Sequence, residues 1–176
     1  HKIIIYKKWT KEKVLEGLLA CASKLFNSAV DKYNSGKYSE ALVLYDKIYE
    51  IIPFDEENLL KRQNITNEII LYQSYLASDK LKNNKLSKEI LQKLIDLNYN
   101  EPFIYISMSK IYKSEDNVEK AIEYLSLGKD MFENNQSIIN EEINLFINLG
   151  RTDELISKLS ISLESDPENE VLLSTR

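Results

Sequence analysis

Histidine occurs once in these 176 residues, at position 1, and cysteine once, at Cys21. A lone histidine at the chain end leaves no Ser-His or Cys-His couple to assemble inside a fold, which excludes nucleophilic hydrolysis by those routes. A lone cysteine excludes an internal disulfide, and Leu18, Leu19 and Ala22 around it point to a small core residue. The four glycines and three prolines are too few for an all-β domain, which needs a turn signal every ~8–12 residues. No glycine-rich loop exists to cradle a phosphate, and no acidic stretch has the alternating ligands and glycine of a calcium loop. No apolar run approaches the ~18 residues that span a bilayer. The net charge of -5 gives no general attraction to nucleic acid. The acidic pairs Glu56–Glu57, Glu115–Asp116 and Glu141–Glu142 are read as helix-end and surface charge, not as acid–base machinery. No enzyme is expected, and neither a cofactor nor a metal.

What is abundant is apolar periodicity. Between Ala22 and Asp55, Leu25, Phe26, Ala29, Val30 and Tyr33 fall on one face of a helix that ends at the turn formers Asn34, Ser35 and Gly36. A second stripe follows: Tyr38, Ala41, Leu42, Tyr45, Ile48, Tyr49 and Ile52, closed by Pro53, which lacks the amide proton that a continuing helix needs. A helix of about fifteen residues cannot bury such a stripe alone, so the two must form an antiparallel hairpin that packs on further helices.

The order Gly36, Tyr38, Ala41, Tyr45, Pro53 resembles the tetratricopeptide repeat, whose second helix carries a small residue, an aromatic four positions later and a closing proline. The resemblance implies an all-α superhelix of stacked hairpins whose first helices line a concave groove. Recurrence supports it: Asp116, Ala121 and Leu125 lie 34 residues before Gly150, Leu155 and Leu159, the length of one such repeat. Gly36, Ala41, Tyr45 and Pro53 stand 114 residues before Gly150, Leu155, Leu159 and Pro167, which is three repeats and roughly twelve residues more. About four hairpins are therefore expected, near 10–53, 55–99, 102–134 and 136–167, with a further helix beginning at 169–176. The extra twelve or so residues belong to the second, where no Gly or Pro appears between Phe54 and Glu101. Longer helices are the economical way to hold them, with the turn favoured at Ser78–Asp79 over Asn83–Asn84.

Elsewhere the expectations are simpler. Residues 1–9 contain Ile3, Ile4 and Ile5 and read as an extended segment or linker ahead of a repeat domain over 10–176 that folds as one unit. Thr10 caps a first helix starting at Lys11, with Gly17 as its weak point. The third hairpin opens at Pro102 with Tyr105, Met108, Ser109 and Tyr112; its second helix uses Val118, Ala121, Ile122, Leu125 and Met131. Gly128 and the missing proline at Glu133 depart from the repeat pattern. The fourth uses Ile139, Ile143, Phe146 and Ile147, then Leu155, Leu159, Ile161 and Leu163. Asn64-Ile65-Thr66 and Asn135-Gln136-Ser137 fit a glycosylation acceptor pattern that arises by chance in an Asn-rich chain. The abundance of Ile, Lys, Asn and Tyr reads as codon bias. A chain that starts without Met and stops inside a new helix reads as a piece of a longer protein.

Function then falls to the groove. Carried over position by position, the resemblance gives Phe26, Val30 and Tyr33 from the first hairpin, Ile106, Lys110 and Lys113 from the third, and Asn140 and Asn144 from the fourth. Such a surface implies a protein or peptide partner, an amphipathic helix or an acidic extended segment; alternatively Phe26, Val30 and Tyr33 are core. Repeats that clamp the acidic C-termini of heat-shock chaperones carry Lys and Asn where this chain has Phe26 and Val30, which disfavours that partner. Two other functions stay open. The run from Trp9 to the PFDEENLL segment also resembles the repeat-like regulatory domain of bacterial transcription activators, which implies a winged-helix domain before His1. Self-association is the third. Neither direct nucleic-acid binding by this chain nor a membrane span is expected.

Overall fold

A computed structural model describes residues 2–165, with side chains described from Thr10 to Ile161 except at Lys11. The described residues are helical or in turns, with no strand among them: α1 (Lys2–Asn34), α2 (Tyr38–Ile51), α3 (Asn67–Lys80), α4 (Asn84–Asp96), α5 (Pro102–Ser114), α6 (Val118–Met131), α7 (Gln136–Asn148) and α8 (Thr152–Ser165). Pro167, the further helix expected at 169–176 and the side chain of Leu163 lie outside the described residues. By its internal packing the chain divides into two compact units, His1–Tyr99 and Asn100–Arg176.

In the first unit each helix packs on the next, α1 on α2, α2 on α3 and α3 on α4. Ala22, Ala29 and Ala41 are fully buried, and such small side chains let neighbouring helix backbones approach closely. Tyr45, Ile48, Leu60 and Ile70 fill the space beside them. The second unit pairs α5 with α6, sets α7 against both, and adds α8 to α7. Its core holds Ala121, Leu125, Ile138 and Leu145, with Ile106, Tyr112 and Phe132 packed around them.

Four expectations are corrected. The N-terminal residues are not extended: α1 begins at Lys2 and runs 33 residues. Three isoleucines cost only tenths of a kcal/mol each relative to better helix formers, and lengthening an existing helix carries no nucleation cost. Second, the extra residues do not lengthen α3 or α4, which have 14 and 13 residues. They form the irregular connection 55–66 with one short 3-10 turn at Lys61–Gln63. Here the Asp55 carboxylate accepts the backbone N–H groups of Leu59 at 2.7 Å and Leu60 at 2.8 Å. Asn58 and Asn64 take positive φ of 58° and 57°, the left-handed conformation that asparagine tolerates better than most residues.

Third, the turn of the second hairpin lies between Lys80 and Asn84, with Lys82 at a φ of 54°. Ser78, read as a turn former, is buried in α3, where its Oγ donates to the Tyr75 carbonyl and meets Ser87 Oγ of α4 at 2.8 Å. Fourth, Cys21 is exposed, because Ala22 takes the core-facing position and one residue along a helix is a turn of about 100°. Met131, Ile147 and Ile161, assigned to buried stripes, are likewise exposed.

Asparagine has a further structural role at helix starts. Asn83, Asn117 and Asn135 accept backbone N–H bonds at the first turns of α4, α6 and α7, relieving donors that have no partner within the helix. Thr66 does the same for α3. Gly128 has a packing reason: a Cβ there would stand 2.9 Å from Tyr105 Cβ and 3.1 Å from Ile138 Cδ1. The missing side chain lets α6 sit tightly between α5 and α7.

Candidate partner-binding surface

The eight groove positions fall on three helices. On α1, Phe26, Val30 and Tyr33 are half-buried. Phe26 sets its ring 6.5 Å from that of Tyr45, and Tyr33 stands edge-on to Tyr38 at 5.3 Å. Phe26 and Tyr33 pack against the core of the first unit. Their burial leaves part of each ring facing water, and what they cover is Tyr45, a fully buried residue whose hydroxyl has no hydrogen-bond partner. Burial, with the nearby Tyr33 hydroxyl, pushes that phenol up to about 12.

In the second unit α5 and α7 lie side by side. Ile106 is half-buried and belongs to the core; Lys110 is exposed and Lys113 half-buried. Asn140 and Asn144, one turn apart on α7, are exposed. Asn140 Oδ1 accepts a 2.8 Å bond from Gln136 Nε2, and the Asn144 carbonyl accepts one of 2.6 Å from Asn148 Nδ2. Lys110 Nζ stands 3.1 Å from Glu141 Oε2, which bridges α5 and α7 across this surface. The structure therefore brings Lys110, Glu141, Asn140 and Asn144 onto adjoining helices and makes the strip more polar than basic.

Sequence reasoning places Glu141 and Glu142 together as surface charge, and for Glu142 that is corrected. Glu142 is buried mid-way along α7, where Lys129 of α6 reaches one carboxylate oxygen at 2.7 Å and Lys158 of α8 the other at 3.7 Å. Lys158 also lies 4.8 Å from the ring centroid of Phe146. The signal was in the spacing: Glu142 sits four residues after Ile138 and three before Leu145, on the apolar stripe itself.

Among the described residues no three His, Cys, Asp or Glu side chains converge as metal ligands, and no helix is long and apolar enough to cross a membrane.

Solved structures place the fold. The chain is similar to the crystal structure of MamA, with 16% identity over 89% of this chain and 85% of that one and a TM-score of 0.60. It also matches YrrB, described as a TPR protein with an unusual peptide-binding site, at 14% identity over 86% and 89% of the two chains, TM-score 0.45. A thermophilic TPR protein of Thermus thermophilus matches at 16% identity over 88% and 96%, TM-score 0.44. No protein-family model and no curated protein matches the chain. At these identities the likeness is one of fold, and it agrees with the repeated Gly, small residue, aromatic and proline landmarks: the chain has a tetratricopeptide-repeat-like, all-α helical-repeat fold.

Proposed function

We propose that this chain is a non-catalytic scaffold that binds a protein partner, a peptide or a helix, through the first helices of its hairpins. The observation that carries the reading is the strip on α5 and α7, where Lys110, Asn140 and Asn144 are exposed together on two adjoining helices. Exposed amides offer donors and acceptors to a peptide backbone, and Lys110 and Lys113 offer charge to an acidic side chain. The Lys110–Glu141 pair does not bar this, because a surface ion pair is worth at most ~1 kcal/mol and an incoming carboxylate displaces it at little cost. On α1, the part-exposed faces of Phe26, Val30 and Tyr33 suit an apolar side chain.

Affinity capture with the folded chain is expected to recover a stoichiometric protein partner. Lys110→Glu with Lys113→Glu is expected to abolish the capture without altering the helical circular dichroism. Undiminished capture by that folded double variant sinks the assignment of the α5–α7 strip. A second variant, Asn140→Ala with Asn144→Ala, separates backbone recognition from charge: it weakens binding to the extent that the two amides hold the peptide backbone.

A further inference from the structure

The chain has two methionines, and the structure puts them in opposite surroundings. Met108 of α5 is 2% exposed, whereas Met131, the last residue of α6, is 50% exposed. Tyr105 of α5 donates its hydroxyl proton to the Met131 sulfur, with the phenol oxygen 3.0 Å from Sδ. A thioether is a weak acceptor, so this contact depends on how firmly the phenol is held. Tyr105 is itself buried. Its Cβ lies against Gly128 of α6, where an added Cβ would come within 2.9 Å of it, and its ring stands edge-on to Phe132 with the centroids 6.0 Å apart. Packing of that kind fixes the ring, and with it the place of the hydroxyl.

The sulfur carries two lone pairs, and an oxygen delivered to one or the other gives one or the other sulfoxide epimer. The Tyr105 hydroxyl occupies one of them. An oxygen bonded on that side would have to stand between the sulfur and a phenol oxygen 3.0 Å away, where no atom fits. The other lone pair is the one left for attack.

We propose that Met131 is a sulfoxidation site for hydrogen peroxide and that Tyr105 restricts the product to a single sulfoxide epimer. The uncovered lone pair attacks one peroxide oxygen, the O–O bond breaks and an S–O bond forms. The proton of the transferred hydroxyl passes to the departing hydroxide, which leaves as water; the sulfur is oxidised by two electrons and the peroxide reduced by two. The new oxygen stands on the side away from Tyr105, so the phenol keeps its place and the helices persist. Because each methionine sulfoxide reductase accepts one epimer, only one of the two enzyme classes restores this site. Tyr105 acts as a positioning residue, and the site shares no residue with the partner strip of Lys110, Lys113, Asn140 and Asn144.

The test treats the folded chain with hydrogen peroxide, locates added oxygen by peptide mass spectrometry and distinguishes the epimers with the two stereospecific reductases. Met131 is expected to gain one oxygen while Met108 gains none, with one reductase removing nearly all of it and the other nearly none. In urea both methionines are expected to oxidise and both epimers to appear, a comparison that needs no substitution. Tyr105→Phe keeps the ring and uncovers the second lone pair; with unchanged helical circular dichroism it is expected to give the two epimers at Met131 in comparable amounts. The proposal is overturned if Met108 of the folded chain oxidises as fast as Met131, if the unaltered folded chain yields an even mixture of epimers, or if folded Tyr105→Phe still yields one.

Discussion

Ser23 of α1 lies 2.9 Å from Gln63 Oε1 and donates its hydroxyl proton there, joining the long first helix to the segment by which the second repeat exceeds the others. The contact is reinforced by packing. Leu15 and Leu19 of α1 border one cavity with Leu59 of the connection, and Leu60 and Ile65 are buried in the same core as Leu19 and Ala22. α1 extends well beyond its 14-residue partner α2, and 55–66 is what covers part of the surface that α2 leaves bare.

The covering residues should therefore carry stability. Leu60→Ala empties a fully buried site and is expected to cost about 2–5 kcal/mol, whereas Ser23→Ala removes one part-exposed hydrogen bond and costs about 0.5–1.5 kcal/mol. Urea denaturation measures both. A Leu60→Ala loss below that of Ser23→Ala contradicts a core role for the connection.

Two glycines respond in opposite directions. Gly17 lies within α1 with nothing inside 4 Å of an added Cβ, so Gly17→Ala is expected to stabilise by about 0.5–1 kcal/mol through helix propensity. At Gly128 the same gain is outweighed by the 2.9 Å approach to Tyr105, since overpacking costs about 1–3 kcal/mol. Thermal melts of the two variants should move apart, Gly17→Ala upward and Gly128→Ala downward.

The buried carboxylate of Glu142 makes its surroundings asymmetric to substitution. Glu142→Gln removes the charge and returns both lysines to water, at about 1 kcal/mol. Lys129→Met combined with Lys158→Met strands the carboxylate, and the expected cost is near the lower end of the ~3–5 kcal/mol typical of a broken buried pair, because both ammonium groups are partly solvated. Chemical denaturation at neutral pH should rank the double variant as the less stable; the reverse order would falsify the bridging role of Glu142.

Alkaline pH tests Tyr45. Its folded value of about 12 exceeds the ~10 of an unfolded tyrosine. Between those values the folded chain holds the proton that the unfolded chain has released, so stability falls as pH rises. The contribution is intact below pH ~10 and is lost through pH ~12, amounting to roughly 2–3 kcal/mol. Tyr105 and Tyr124 are also raised, chiefly by burial, so the informative quantity is a difference. Tyr45→Phe should flatten the decline in unfolding free energy from pH ~9.5 to ~11.5 relative to the parent chain, and an unchanged slope removes Tyr45 from the account.

The helices were legible where the apolar period is long and unbroken. From Tyr38 to Ile52, from Pro102 to Tyr112 and from Val118 to Leu125 the three-and-four spacing leaves no other way to bury those side chains together, and local chemistry marks the ends: Pro53, Pro102, Gly36 and Gly150, the last two at positive φ. The connection 55–66 was not legible because it contains no glycine or proline, and its reversals fall on single asparagines at positive φ. Asn58, Asn64, Asn98 and Asn134 all reverse direction at positive φ, as does Asp116, so asparagine's abundance, read as codon bias, is in part the turn supply of the fold. The charge of the α5–α7 strip was not legible: nothing in the spacing of Lys110 and Glu141 indicates that the two helices bring them within 3.1 Å.

By itself the sequence determined the all-α class, the hairpin unit and its recurrence, since these follow from short-range periodicity and from residues that stop a helix locally. Only the tertiary structure decided where the additional residues go, why Gly128 has no side chain, and that Glu142 is buried between two lysines. Each of those depends on what a neighbouring helix brings into contact, and a contact between residues far apart along the chain leaves no mark on the local pattern of either.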